Sequence, residues 1–220
     1  MHLLQPQTEV SISSLVSTIS TIDSDSSPQQ VQHSQQADSA AENQQVDWLI
    51  LHFNMWFSHL NVVLVRGDFE PEYFPAAENS PARIQFAHGF FNSALHEISH
   101  WTIAGDKRRL LPDLGYWYAP DGRTAEQQAL FEQVEIKPQA IEWMFSKAFG
   151  LKFRVSLDNL TGDGGDGSRF KDNVYAQVQR YFQGEAKLPR DAKHFIDCIC
   201  AHTRQGKSLQ AVEFKREMLD

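Results

Sequence analysis

Residues 124–150 read TAEQQALFEQVEIKPQAIEWMFSKAFG, and their reading decides how the chain is built. Apolar residues recur at three- and four-residue intervals along the whole run, the pattern of a helix with one buried face. Thr124 and Gln127 have the spacing of a capping box, and Gly150 suits the residue after a helix end. Pro138 lies inside the run. It removes a backbone donor and is expected to kink the helix or to start a second one. Four carboxylates lie here, Glu126, Glu132, Glu135 and Glu142. Glu135 and Glu142 are seven apart and share a face. Glu132 and Glu135 are three apart and are also neighbours. Glu135 sits between Val134 and Ile136, which suits an inward carboxylate, and such a group needs a partner.

Working outward, FKDNVYAQVQRYFQG (170–184) and PRDAKHFIDCICAHTRQG (189–206) read as two more helices, with Pro189 at a first turn. FRVSL (153–157) is expected to be a strand and TGDGGDGS (161–168) a plain loop without the calcium-ligand pattern. On the other side, NVVLV (61–65) and ARIQFAH (82–88) read as short strands. VDWLILHFNMWFSHL (46–60) and FNSALHEISHWTIAG (91–105) read as helices, the latter closed by Gly105. A few strands and several helices without regular βαβ alternation give an α+β class, a small mixed sheet packed with several helices.

Residues 1–45 differ in kind. They hold no Lys, Arg or aromatic residue and are rich in Ser and Gln. This composition predicts a disordered Ser/Gln-rich N-terminal extension, 1–45, before one domain over 46–220. All five Trp and all fifteen Phe fall in that domain. No basic segment followed by an apolar one marks a signal peptide, and no Arg-rich transit segment is present. The formal charge is −8, and five of the acids lie in 1–45, which leaves about −3 on the domain. That charge does not favour nucleic-acid binding. No apolar run reaches the ~20 residues of a membrane span. Cys198 and Cys200 form no disulfide framework, so a reducing cytoplasm is the expected location.

His96, Glu97 and His100 form H-E-x-x-H. On a helix the two imidazoles lie one turn apart and can share a metal at about 2.0–2.1 Å, with Glu97 beside them. With nine His in the chain, a chance match is expected roughly 0.02 times, so the motif is informative. The same spacing also suits two structural histidines on a half-buried face. The metzincin continuation is excluded, because Ile103 and Asp106 stand where Gly and His are required. A third ligand must therefore come from elsewhere, and the carboxylates of 124–150 are the candidates. Two His and one carboxylate serve zinc hydrolysis or non-haem iron oxygenation, and spacing does not choose between them.

The strings FAHGFFNSALHEISHWTIAGDKRR, GYWYAPDGR and FEQVEIKPQAIEW, in this order, closely resemble the bacterial elongation factor P hydroxylase family. The likeness runs from about Trp48 to Cys200. It implies an O2-dependent hydroxylase acting on the β-lysylated lysine side chain of elongation factor P, at a non-haem Fe(II) site in a zincin-like fold. Zn or another divalent metal could take the same ligands. Carried over, His96, His100 and Glu135 are the metal ligands, with Glu132 the near rival of Glu135. Glu97, a general base in a hydrolase, becomes a residue that orients water or a ligand. The organic co-substrate and electron source stay open. The rival function is a zinc-dependent hydrolase, a peptidase or nuclease.

Further features carry two readings each. His88 could line the cleft or simply end a strand. The ARIQF strand could present an open edge to a protein loop. Lys107, Arg108 and Arg109 could steer an acidic partner or cap a helix end. Tyr116 and Trp117 could wall a substrate cleft or pack in the core.

Overall fold

The computed structural model describes residues 28–115, 124–157 and 167–220. Five α-helices, α1 (Pro28–Trp56), α2 (Phe91–Arg108), α3 (Ala125–Phe149), α4 (Ser168–Gln183) and α5 (Arg190–Thr203), occur among them. They accompany strands β1 (Val62–Arg66), β2 (Glu72–Phe74) and β3 (Ala82–Phe86). The α+β class holds, with helices predominant. The expectations for Tyr116, Trp117 and most of the glycine-rich loop lie outside the described residues.

The sheet has the order β1-β3-β2. β1 runs parallel to β3 and β2 antiparallel to it, so the sheet is mixed. Every second residue points inward: Val62 and Leu64 on β1, Ile84 and Phe86 on β3 are all buried. β3 is therefore the central strand, which corrects the expectation that ARIQF offers an open edge. Both real edges are occupied by side chains. Asn54 of α1 accepts from the Leu64 N–H at 2.7 Å, and Asp113 accepts from the Tyr73 N–H at 3.0 Å. These bonds satisfy donors that would otherwise invite another strand.

α1 starts at Pro28, inside the stretch expected to be disordered. The remainder of that stretch, 1–27, is not described. Ala, Gln and Glu between 35 and 45 are good helix formers, and a helix already anchored by packing propagates cheaply. The anchor is visible. Val46, Leu49 and Phe53 are fully buried, and Arg66 at the end of β1 bonds Asn43 and Asp47.

α3 is one element through Pro138, not two. Apolar side chains bury it on both sides of the proline, Phe131 before and Ile141 and Phe145 after, and this packing outweighs one missing hydrogen bond. The capping box at Thr124 and Gln127 is formed, and Gly150 closes the helix at φ 78°. Gly105 breaks the regular turns of α2 at φ 67°, as its residue type predicts, and one further turn reaches Arg108.

FRVSL is not a strand. Residues 151–157 run without a ladder and are held by α3 side chains instead. Gln139 donates to the Ser156 carbonyl at 2.7 Å and accepts from its N–H at 3.0 Å. Gln128 donates to the Leu157 carbonyl at 3.1 Å.

The core lies between the sheet-side face of α2 and helices α1, α3 and α5. Trp101 is 1 % exposed and meets Phe57 and Phe53 edge-on at 5.1 and 5.6 Å, while Phe145 meets Phe195 at 4.8 Å. Trp101 thus fixes one side of α2 in apolar packing, and His96 and His100 emerge on the side facing α3.

Candidate metal centre

α2 carries His96 and His100 one turn apart, and packing against α3 places Glu135 opposite them. Ligand atoms of these three residues all lie within 4.8 Å of one another. His100 Nε2 is 3.1 Å from His96 Nε2 and 3.2 Å from Glu135 Oε1. His96 Nε2 is 3.7 Å from Glu135 Oε2. An ion with bonds of about 2.0–2.2 Å holds neighbouring donor atoms about 3–3.5 Å apart, so the cluster fits a divalent cation. Two imidazole lone pairs facing at such a distance repel unless a proton or a cation sits between them. Glu132 is half-buried and outside this cluster.

Glu135 is 1 % exposed. Burial pushes its carboxyl up, but the adjacent His100, then His96 and the Gln139 amide, outweigh this and hold it down at about 2. Gln139 reaches Glu135 Oε2 only weakly, at 3.4 Å, while its two bonds to Ser156 fix the amide.

Glu142 has a different place. Its Oε2 accepts from His96 Nδ1 at 2.8 Å. A carboxylate accepts only, so Nδ1 carries the proton and Nε2 is left to face the cluster. This orientation of a ligand imidazole by an outer carboxylate is a common device of metal sites. Sequence reasoning counted Glu142 among the ligand candidates and missed this role. Its seven-residue spacing from Glu135 was the available signal.

Burial lowers the His96 pKa, yet Glu142, Glu135 and Glu97 together raise it to about 10. A metal taking Nε2 at neutral pH must displace that proton. Apparent metal affinity is therefore expected to rise about tenfold per pH unit between pH 6.5 and 8.5, one proton leaving per ion. Glu142→Gln weakens the hold on Nδ1–H and is expected to lower metal affinity about 10- to 100-fold. Titration with a competing chelator checks both; a pH-independent affinity contradicts the first and an unchanged one the second.

Glu97 follows His96 on α2 and is half-buried. Burial pushes its carboxyl up; His96 and His100 pull it back, and Glu135 and Glu142 raise it again. It is thus biased toward keeping a proton beside the cluster.

Three other residues singled out from the sequence have the following surroundings. His88 is exposed, in the turn after β3, with φ 51°. Arg109 is not a steering cation. Its guanidinium stacks 3.7 Å above the Trp101 ring, donates to the Trp101 carbonyl and pairs with Asp191 at 2.7 Å. Arg108 donates to the Leu114 carbonyl at 2.7 Å.

Residues 51–214 match the family described as elongation factor P hydroxylase (EpmC). The chain is also 50% identical over 168 residues to a Haemophilus influenzae protein named elongation factor P lysine hydroxylase. That match covers 76% of this chain and 93% of the relative.

Proposed function

Because the chain belongs to the elongation factor P hydroxylase family, we propose that it hydroxylates the β-lysylated lysine side chain of elongation factor P, using O2 at a non-haem Fe(II). The observation that carries this reading is the convergence of His96, His100 and Glu135 from two helices. A bound ferrous ion would supply the reductive activation of O2 that attack on an unactivated C–H bond demands, which water on zinc does not. The zinc-hydrolase alternative is not favoured by the family. O2 provides one oxygen atom to carbon and one to water, so the balance requires two electrons and two protons from a reductant.

The chain's own residues do the rest. His96, His100 and Glu135 are the proposed ligands. Glu142 fixes the His96 tautomer, and Gln139 steadies the α3 face beside Glu135. Glu97, whose carboxyl burial pushes above its ordinary value, is proposed to orient water or a bound ligand. Packing of α2 on α3 keeps bulk water from Glu135. The proposed domain is 46–220, and among the residues whose burial is described Val46 is the first buried apolar one. No helix among the described residues is long and apolar enough to cross a membrane, and the protein substrate suits a cytoplasmic location. A zincin-like arrangement of the helices and the small sheet is part of the same proposal.

Aerobic incubation of iron-loaded protein and a reductant with β-lysylated elongation factor P is expected to add about 16 Da, one oxygen atom, to the substrate. Intact-mass spectrometry reads it. No gain with iron, together with peptide or RNA cleavage by the zinc form, overturns the proposal.

A further inference from the structure

The inward face of α3 carries a polar stripe, Gln128, Glu132, Glu135, Gln139 and Glu142, at four- and three-residue steps. Glu135, Gln139 and Glu142 have partners that explain them. The first two are only partly accounted for. Gln128 is 4 % exposed, and its Nε2 donates to the Leu157 carbonyl at 3.1 Å and to Glu132 Oε1 at 3.4 Å. Both partners are acceptors, so the amide cannot be turned round without losing them. Its Oε1 is left buried with no hydrogen-bond partner. An orphaned buried acceptor is costly and asks for a donor. Beside it, Glu132 is half-buried and forms no ion pair among the described residues. Glu135 is three positions on from Glu132, about 4.5 Å along the helix axis and on a neighbouring line of the same face.

The Glu132 carboxylate, one turn from the candidate metal ligand, is therefore met by the Gln128 amide N–H, while the oxygen of that same amide lacks a donor, and the stripe supplies no cation for either. The geometry points to Glu132, supported by the Gln128 carbonyl, as the subsite that receives the terminal ammonium of the substrate side chain. This rests on the proposed hydroxylase reading and deepens it by making Glu132 a specificity-determining residue. A primary ammonium offers three N–H donors and one positive charge, the complement of this pair. Its aliphatic stem then extends toward the His96–His100–Glu135 cluster, so that the ammonium end sets which carbon is presented. Glu132 is partly open to solvent, so an ammonium can reach it from outside.

The test uses the metal-loaded full chain and elongation factor P whose target side chain has its terminal amines free or acetylated. Binding is measured without oxygen, and kcat/KM with it. Glu132→Gln is expected to weaken binding of the free-amine form about 10- to 100-fold, the range of a charge-assisted hydrogen bond. Acetylation is expected to weaken wild-type binding similarly. The two changes together should do little more than either alone, because both remove the same contact. Glu126→Gln, at an exposed position on the same helix, is expected to match the wild type. Glu132→Ala is read in the same way if the glutamine variant does not fold. Free-amine binding within twofold of wild type, equal losses for both substrate forms, or an equal loss in Glu126→Gln overturns the inference. A wild type that leaves the β-lysylated substrate unmodified overturns the functional reading, and this subsite with it.

Discussion

His96→Ala is expected to abolish the 16 Da gain on elongation factor P, with hydroxylation falling at least about a thousandfold. The imidazole removed is one of two on α2 whose Nε2 atoms face each other at 3.1 Å. A single imidazole and a carboxylate hold a divalent ion poorly, and the carboxylate here, Glu135, is committed to the same point from the opposite helix. Loss of His96 also leaves Glu142 without its 2.8 Å donor. The variant should therefore bind less metal as well as turn over less substrate. Its fold should survive, because α2 is held on its other side by Trp101, Leu95 and Ile98, all buried. Metal content and far-UV circular dichroism measured together separate the two effects. A folded His96→Ala protein that keeps its metal and its activity would remove His96 from the centre. Chelation of the wild type should give the same loss of activity, recovered by adding iron.

The second large effect lies away from the centre. Asp191→Ala is expected to destabilise the fold by about 3–5 kcal/mol, the usual consequence of orphaning a buried charge, or about 6–20 °C in Tm. Asp191 sits in the first turn of α5, buried, with Arg109 at 2.7 Å and Arg190 at 2.9 Å. Removing it leaves the Arg109 guanidinium, itself largely buried, with the Trp101 ring and carbonyl as its remaining partners among the described residues. Burial pushes the Asp191 carboxyl up, but hydrogen bonds from Arg190 and Arg109 and their charges pull it below the ordinary value. A depressed folded-state pKa gives stability that is present above the unfolded value, about 3.9, and is lost as pH falls through the folded one. The wild type should accordingly lose stability below about pH 4 more steeply than Asp191→Ala, whose curve lacks this component. The double variant Arg109→Met, Asp191→Leu should recover much of the loss, since no charge is then left unpaired. Denaturant melts at pH 7 and pH 3.5 check this. A loss under about 1 kcal/mol for Asp191→Ala would mean that solvent reaches the pair.

These two sites differ in how visible they are along the chain. His96 and His100 are four apart, so helix geometry alone puts them on one face. The Thr124 capping box, the Gly150 terminus, the alternation of Ile84 and Phe86, and the break at Gly105 are likewise local. Each depends on interactions within a few residues, and each was legible. The helix before Val46 was not, because its Gln- and Ser-rich composition is that of a disordered tail. Its support comes from Arg66, some twenty residues away. The continuity of α3 through Pro138 was also hidden, since it depends on packing at Phe131 and Ile141 rather than on the proline.

Local sequence thus determined most of the helices, strands β1 and β3, the pairing of two imidazoles on α2, and a short set of carboxylates on α3 from which a third donor could come, but not β2, the helix before Val46 or the unladdered run 151–157. Only tertiary packing decided which carboxylate faces which nitrogen: Glu135 toward both Nε2 atoms, Glu142 behind His96 at Nδ1, Glu132 to one side with Gln128. It also put β3 in the middle of the sheet and turned Arg109 inward to Asp191. The physical reason is that backbone hydrogen bonding and periodicity act within a few residues. The angle and register between α2 and α3 depend on contacts between residues far apart in the chain, such as Phe91 on Phe149, and a shift of one residue, about 1.5 Å and a 100° turn, would carry all three acids off the face that meets the histidines.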